Sequence, residues 1–105
     1  MRKKDLEIAK KLKEKLEEKV MLVDFKVFGS RARDEHAEDS DLDVFIVVER
    51  MSKEIKNAIL GIVWEVGFEH YVYISPLIFS RYEMEQSPLR ASLVVETIAE
   101  EGVRV

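Results

Sequence analysis

Leu42 to Val48 reads LDVFIVV, the densest β-branched run in the chain, and two aspartates, Asp41 and Asp43, stand at its mouth. Such a run marks a strand that wants a core. Residues two apart on a strand point to the same face, so both carboxylates project together from its start. By itself this pairing is unfavourable, because the like charges repel and each is costly to desolvate. A divalent cation reverses the sign of the local field and turns the repulsion into ligation. Mg²⁺ suits the pattern, since it prefers oxygen ligands, keeps several waters and is commonly held by one or two carboxylates plus substrate phosphates. Two such ions about 3.5–4 Å apart would stabilise both the attacking and leaving oxygens of an in-line displacement.

Just upstream, Gly29 to Arg33 reads GSRAR. A tight turn at Gly29 lets backbone approach a ligand closely, and Ser30 offers a hydroxyl and an amide to a phosphate oxygen. A helical turn over Arg31 to Glu35 would aim its free N–H groups at the same place. One group of residues is therefore suited to phosphates and the other to cations, with Arg31 and Arg33 available to balance negative charge.

Around these segments the apolar periodicity defines the remaining elements. Leu6, Ala9, Leu12, Leu16 and Val20 recur at steps of three and four, which predicts an amphipathic helix from 3 to about 19 lying over a sheet. Val23 to Phe28 is a short strand ending at Gly29. Ser52 caps a helix running through Ile55, Ile59, Ile62, Val63 and Val66, with Trp64 among its core residues and Gly67 placed to end it. Tyr71 to Ile74, extending towards Phe79, is a third strand in which Pro76 marks an edge or a bend. Ser87 and Pro88 supply the N-cap and first position of a last helix through Leu89, Leu93, Val94 and Ile98, closed by Gly102.

The helix between the second and third strands favours a crossover connection, whereas the first two strands can pair in either sense. The expected fold is α/β (α+β), a small mixed sheet of three to four strands with helices packed mainly on one face. The length of 105 residues and 47% hydrophobic content suit a single domain spanning 1–105. A net charge of -4 offers no global field for nucleic acid or an anionic membrane. The absence of cysteine and of any long apolar run points to a soluble, cytoplasmic protein.

GSRAR followed by SDLDVFIV resembles the signature of the minimal nucleotidyltransferase family, a branch of the DNA polymerase β-like superfamily whose usual pattern reads GSxARG, a short spacer, then SDxDLxV. The helix order and the terminal EGVRV are similar as well, so the resemblance spans nearly the whole chain. It implies a nucleotidyltransferase-like fold in which Gly29 and Ser30 bind the triphosphate, helped by Arg31 and Arg33. Asp41 and Asp43 would ligate Mg²⁺ as catalytic residues. The implied reaction transfers a nucleoside monophosphate, AMP from ATP, to an acceptor hydroxyl.

Members of that family are typically paired with an all-helical HEPN ribonuclease toxin. Some act as antitoxins by adding AMP to a tyrosine of this partner. A homo-oligomer is a separate expectation. Two departures stand out: Asp34 replaces the usual Gly, and the third strand lacks the carboxylate that the family commonly supplies there. Alternation places Glu69, Tyr71 and Tyr73 on one face, which makes Glu69 the substitute catalytic carboxylate. The alternative reading is a pseudoenzyme that neutralises its partner by contact alone. His36 and His70 are weaker candidates, an exposed loop residue and a surface or structural one.

Overall fold

The protein is described here by a computed structural model covering residues 1–35, 39–86 and 92–105. Helix α1 (Lys3–Lys19) leads into strand β1 (Leu22–Phe28), a single helical turn α2 (Gly29–Ala32) and strand β2 (Leu42–Val48). Helix α3 (Lys53–Glu69), strand β3 (Ile74–Ser80), helices α4 (Arg81–Gln86) and α5 (Leu93–Glu101), and strand β4 (Val103–Arg104) complete the order. The sheet runs β3-β2-β1-β4. β1 pairs antiparallel with both β2 and β4, while β2 and β3 are parallel across the α3 crossover. The fold is therefore the expected mixed α+β sheet.

Strand β2 is central, and its apolar run explains why. Leu42, Val44, Ile46 and Val48 face one way, where they meet Ile8, Leu12 and Leu16 of α1 and Ile59, Val63 and Val66 of α3. Phe45 and Val47 face the other way, against Phe79 of β3 and Val95 and Ile98 of α5. Full burial of such a side chain stabilises by roughly 1.5–3 kcal/mol, so a strand apolar on both faces is driven to the middle. The two long helices share one face of the sheet and the shorter α5 covers part of the other. Asp43 falls on the α5 face, in phase with Phe45 and Val47. Among the described residues, no helix is long and apolar enough to cross a membrane.

Local chemistry sets the boundaries, and several differ from expectation. Ser52 caps α3 as predicted, its side chain accepting from the Ile55 N–H. Gly67 does not end that helix, which continues to Glu69. A β-carbon at Gly67 would stand 2.7 Å from the Val72 carbonyl oxygen, so this glycine serves close packing rather than a stop. Tyr71 lies in the turn after the helix with φ 54°, and the third strand starts later, at Ile74. Pro76 sits within β3, an edge strand, as its chemistry allows.

The last helix starts at Leu93 under a Ser92 cap, and Gly102 closes it through its N–H to the Ile98 carbonyl at 2.8 Å. The expected start at Ser87, Pro88 and Leu89, and the loop residue His36, lie outside the described residues. Trp64 is not in the core. It is 69% exposed on the outward face of α3.

Candidate active site

The site is built where β1 stops. Gly29 adopts φ 75°, a conformation that favours glycine, and a β-carbon there would push against the Asp43 carboxylate. The antiparallel register sets Phe28 opposite Asp43, which brings the start of α2 beside the carboxylate pair. The turn is closed by the Arg33 N–H donating to the Gly29 carbonyl at 3.3 Å and the Glu35 N–H to the Ser30 carbonyl at 2.9 Å. Asp34 takes φ 58°, a left-handed conformation that the family's glycine would adopt without penalty and that aspartate tolerates.

Asp41 is exposed and Asp43 partly so, and neither carboxylate has a hydrogen bond or ion pair among the described residues. Burial pushes the Asp43 carboxyl above the ordinary aspartate range, the Asp41 charge pushes it further, and nearby Arg33 partly opposes both. This is the electrostatic strain that the sequence implied. The Ser30 hydroxyl also makes no hydrogen bond among the described residues. Gly29, Ser30, Arg33, Asp41 and Asp43 are thus brought together at one end of the sheet. A shallow apolar groove of about 270 Å³, lined by Phe28, Leu93, Val94, Thr97 and Ile98, flanks the end of β1.

The two arginines have different tasks. Arg31 is buried rather than turned to a ligand: its Nη1 donates to Asp5 Oδ1 at 2.7 Å, while Nε and Nη2 donate to the Ser40 carbonyl at 2.9 and 2.7 Å. Its guanidinium ties the residue before Asp41 to the first turn of α1, so the arginine expected at the nucleotide is placed by the structure in a buried contact between Asp5 and Ser40. Arg33 remains solvent-accessible, with Nε 3.1 Å from Glu35 and Nη1 3.4 Å from Glu101. Of the two arginines it is the one left at the surface.

Glu69 also departs from expectation. It is the last residue of α3 rather than part of a strand, and it bonds Lys11 and approaches Lys15, both on α1. Its hydrogen bond to Lys11 holds its carboxyl below the usual range, and it belongs to the helix layer opposite the Asp43 face. The structure therefore does not bring Glu69 together with Asp41 and Asp43. The β3 residue in register with Asp43 is Ser75, an exposed serine. His70 caps the C-terminus of α3.

Two participants were missed from sequence. Asp5 is 1% exposed, and its signal was available: it continues the Ile8, Leu12 and Leu16 stripe towards the N-terminus, where a carboxylate must find a buried partner. Glu101, the last residue of α5, which meets Arg33, had no local signal.

The mixed sheet, with a glycine-serine turn set beside two carboxylates, has counterparts among known proteins. A family model described as "Nucleotidyltransferase domain" matches residues 9–105, and the chain belongs to that family. Among solved structures, "Crystal structure of a putative nucleotidyltransferase from Sulfolobus solfataricus" superposes with a TM-score of 0.59 at 17% identity. The match covers 96% of this chain and 78% of that one, and at this identity it is a likeness of fold. A search of curated protein sequences finds no match.

Proposed function

We propose that the chain is a minimal nucleotidyltransferase that transfers AMP from ATP, with Mg²⁺, to a hydroxyl on a protein partner. The observation that carries this reading is the juxtaposition of Gly29 and Ser30 with the unpaired Asp41 and Asp43. Two carboxylates form a small donor set, and among the described residues no group of three or more His, Cys, Asp or Glu could hold a metal. That set fits Mg²⁺, whose remaining ligands are commonly waters and substrate phosphates. When bound, the metal would neutralise charge on the phosphates and on the leaving pyrophosphate. The Ser30 hydroxyl and neighbouring amides bind the β- and γ-phosphates, and Arg33 offsets developing negative charge. The apolar groove beside Phe28 offers a surface for the base.

In this reading the acceptor is a hydroxyl on a second protein. Family resemblance makes a HEPN-type helical protein the expected acceptor, modified in an antitoxin role in the cytoplasm. A second reading, a catalytically impaired module that binds and neutralises its partner, is favoured by Ser75. No carboxylate stands in register with Asp43 to take the acceptor's proton.

Transfer of label from α-labelled ATP to a co-purified partner, with Mg²⁺, tests the proposal. Label should appear with the parent and vanish with Asp41→Asn plus Asp43→Asn. Unlabelled partner from the parent, combined with transfer by Ser75→Asp, would establish the impaired module. Labelling undiminished in the double variant would overturn the site.

A further inference from the structure

The outward face of α3 has no partner in this chain. Leu60, Trp64 and Phe68 follow one another at helical spacing, and Tyr71 and Tyr73 continue the patch onto the start of β3. A groove of about 480 Å³ runs between them, with Val72, Ile74 and Pro76 in its floor and rim. Trp64, Phe68, Tyr71 and Tyr73 are 69%, 72%, 96% and 78% exposed. Aromatic side chains present about 150–250 Å² each, so these four leave roughly 500–800 Å² per copy uncovered. A monomer rarely exposes that much contiguous apolar surface without using it.

Three observations point to the occupant. Gly61 lies at the middle of α3, is exposed, and a β-carbon on it would meet nothing within 4 Å. Glycine is the least favourable helix residue after proline, and no packing within the chain accounts for it here. Close approach of a second helix does. The open edge of β3 is closed to strand addition: the Leu42 N–H donates to the Tyr73 carbonyl, so the parallel ladder turns Ser75 and Leu77 towards β2 and Pro76 outward, where its missing N–H blunts the edge. Lys53 and Lys56, at the other end of α3 from the aromatics, make no ion pair among the described residues.

We propose that α3 is the contact face of a two-fold dimer, packed antiparallel on α3 of a second copy and crossing at Leu60 and Gly61. This arrangement is self-complementary. It sets the Lys53 and Lys56 stems of one copy over the Trp64 and Phe68 rings of its mate, with stem packing and cation–π attraction at both ends. Two copies together cover roughly 1,000–1,600 Å², which reaches the range of about 1,200–2,000 Å² typical of stable interfaces. The proposal does not depend on nucleotide transfer.

Light scattering and sedimentation of the full chain at micromolar concentration test it. The parent should be a dimer. Trp64→Glu should weaken association by at least a hundredfold while leaving the melting curve of the separated chain intact, since Trp64 is outside the core. Because the chain has no cysteine, a residue introduced at the crossing reports geometry cleanly. Leu60→Cys should form a disulfide-linked dimer on mild oxidation, and Glu17→Cys on α1 should not. A monomeric parent would overturn the proposal and leave the face to a different protein. A dimer indifferent to Trp64→Glu, or cross-linked through Glu17→Cys and not Leu60→Cys, would place the contact elsewhere and overturn it equally.

Discussion

Arg31→Met keeps most of the arginine stem and removes the guanidinium, which makes it the sharpest probe of how this site is held. Asp5, 1% exposed, would lose a charged partner at 2.7 Å, and the Ser40 carbonyl would lose donors at 2.9 and 2.7 Å. Breaking a buried pair by removing one partner costs about 3–5 kcal/mol, because a desolvated charge is left behind. Against a total stability of about 5–15 kcal/mol this is a large fraction. At about 4–8 °C per kcal/mol for a chain of this size, the melting temperature should fall by roughly 12–40 °C. Asp5→Leu added to Arg31→Met should restore most of the loss, since replacing both members of a buried ion pair with apolar side chains is often neutral or stabilising.

Urea denaturation followed by circular dichroism on the two single variants and the double completes a thermodynamic cycle. A loss below about 1 kcal/mol for Arg31→Met, or a double variant no more stable than the single, would refute the clamp. The refolded double variant also separates positioning from binding. With the Ser40 carbonyl released ahead of Asp41, kcat should fall while KM for ATP stays near the parent value. A KM raised tenfold at unchanged kcat would instead make Arg31 a phosphate ligand.

Ser30→Ala should lower kcat/KM for ATP about ten- to a hundredfold, the worth of one charge-assisted hydrogen bond of roughly 1.5–3 kcal/mol, with an unchanged melting temperature; an unchanged kcat/KM would reduce Ser30 to a turn residue. Asp34→Gly should be more stable than Asp34→Ala by about 1 kcal/mol in chemical denaturation, the reverse of the usual order, because φ is 58° there. Asp43 has its carboxyl raised by burial and by Asp41, so its stabilising contribution is present below the ordinary aspartate range and is lost as pH rises through the raised value in the fold. Asp43→Asn should therefore melt higher than the parent at neutral pH, with the gap closing in acid, and a gap that widens in acid would contradict this. By the same linkage, Mg²⁺ affinity measured by calorimetry should weaken as pH falls through that raised value.

Much of this architecture was legible because it is local. The 3- and 4-residue spacing of Ala9, Leu12 and Leu16, the cap at Ser52 and the β-branched run of β2 each act within a few residues, and each lies where pattern puts it. Asp41 and Asp43 share a face by alternation alone, and Gly29 beside Ser30 is a turn by composition alone. What escaped depends on distant partners. Arg31 looked like a ligand arginine because nothing near it in sequence reveals Asp5, 26 positions away. Trp64 looked like core because its neighbours Val63 and Val66 are core, yet a helix buries only one face and Trp64 lies on the other.

The third strand gives the clearest lesson. Alternation counted back from Tyr73 assumes that the strand begins before it, and the left-handed residue Tyr71 breaks that assumption by placing a turn there. Register, which sequence does not encode locally, then chooses the neighbour of Asp43, and it chooses Ser75. The strand beside Asp43 thus presents a serine hydroxyl rather than a carboxylate at that register position, and under the proposed transfer the Ser75→Asp variant measures what that difference is worth.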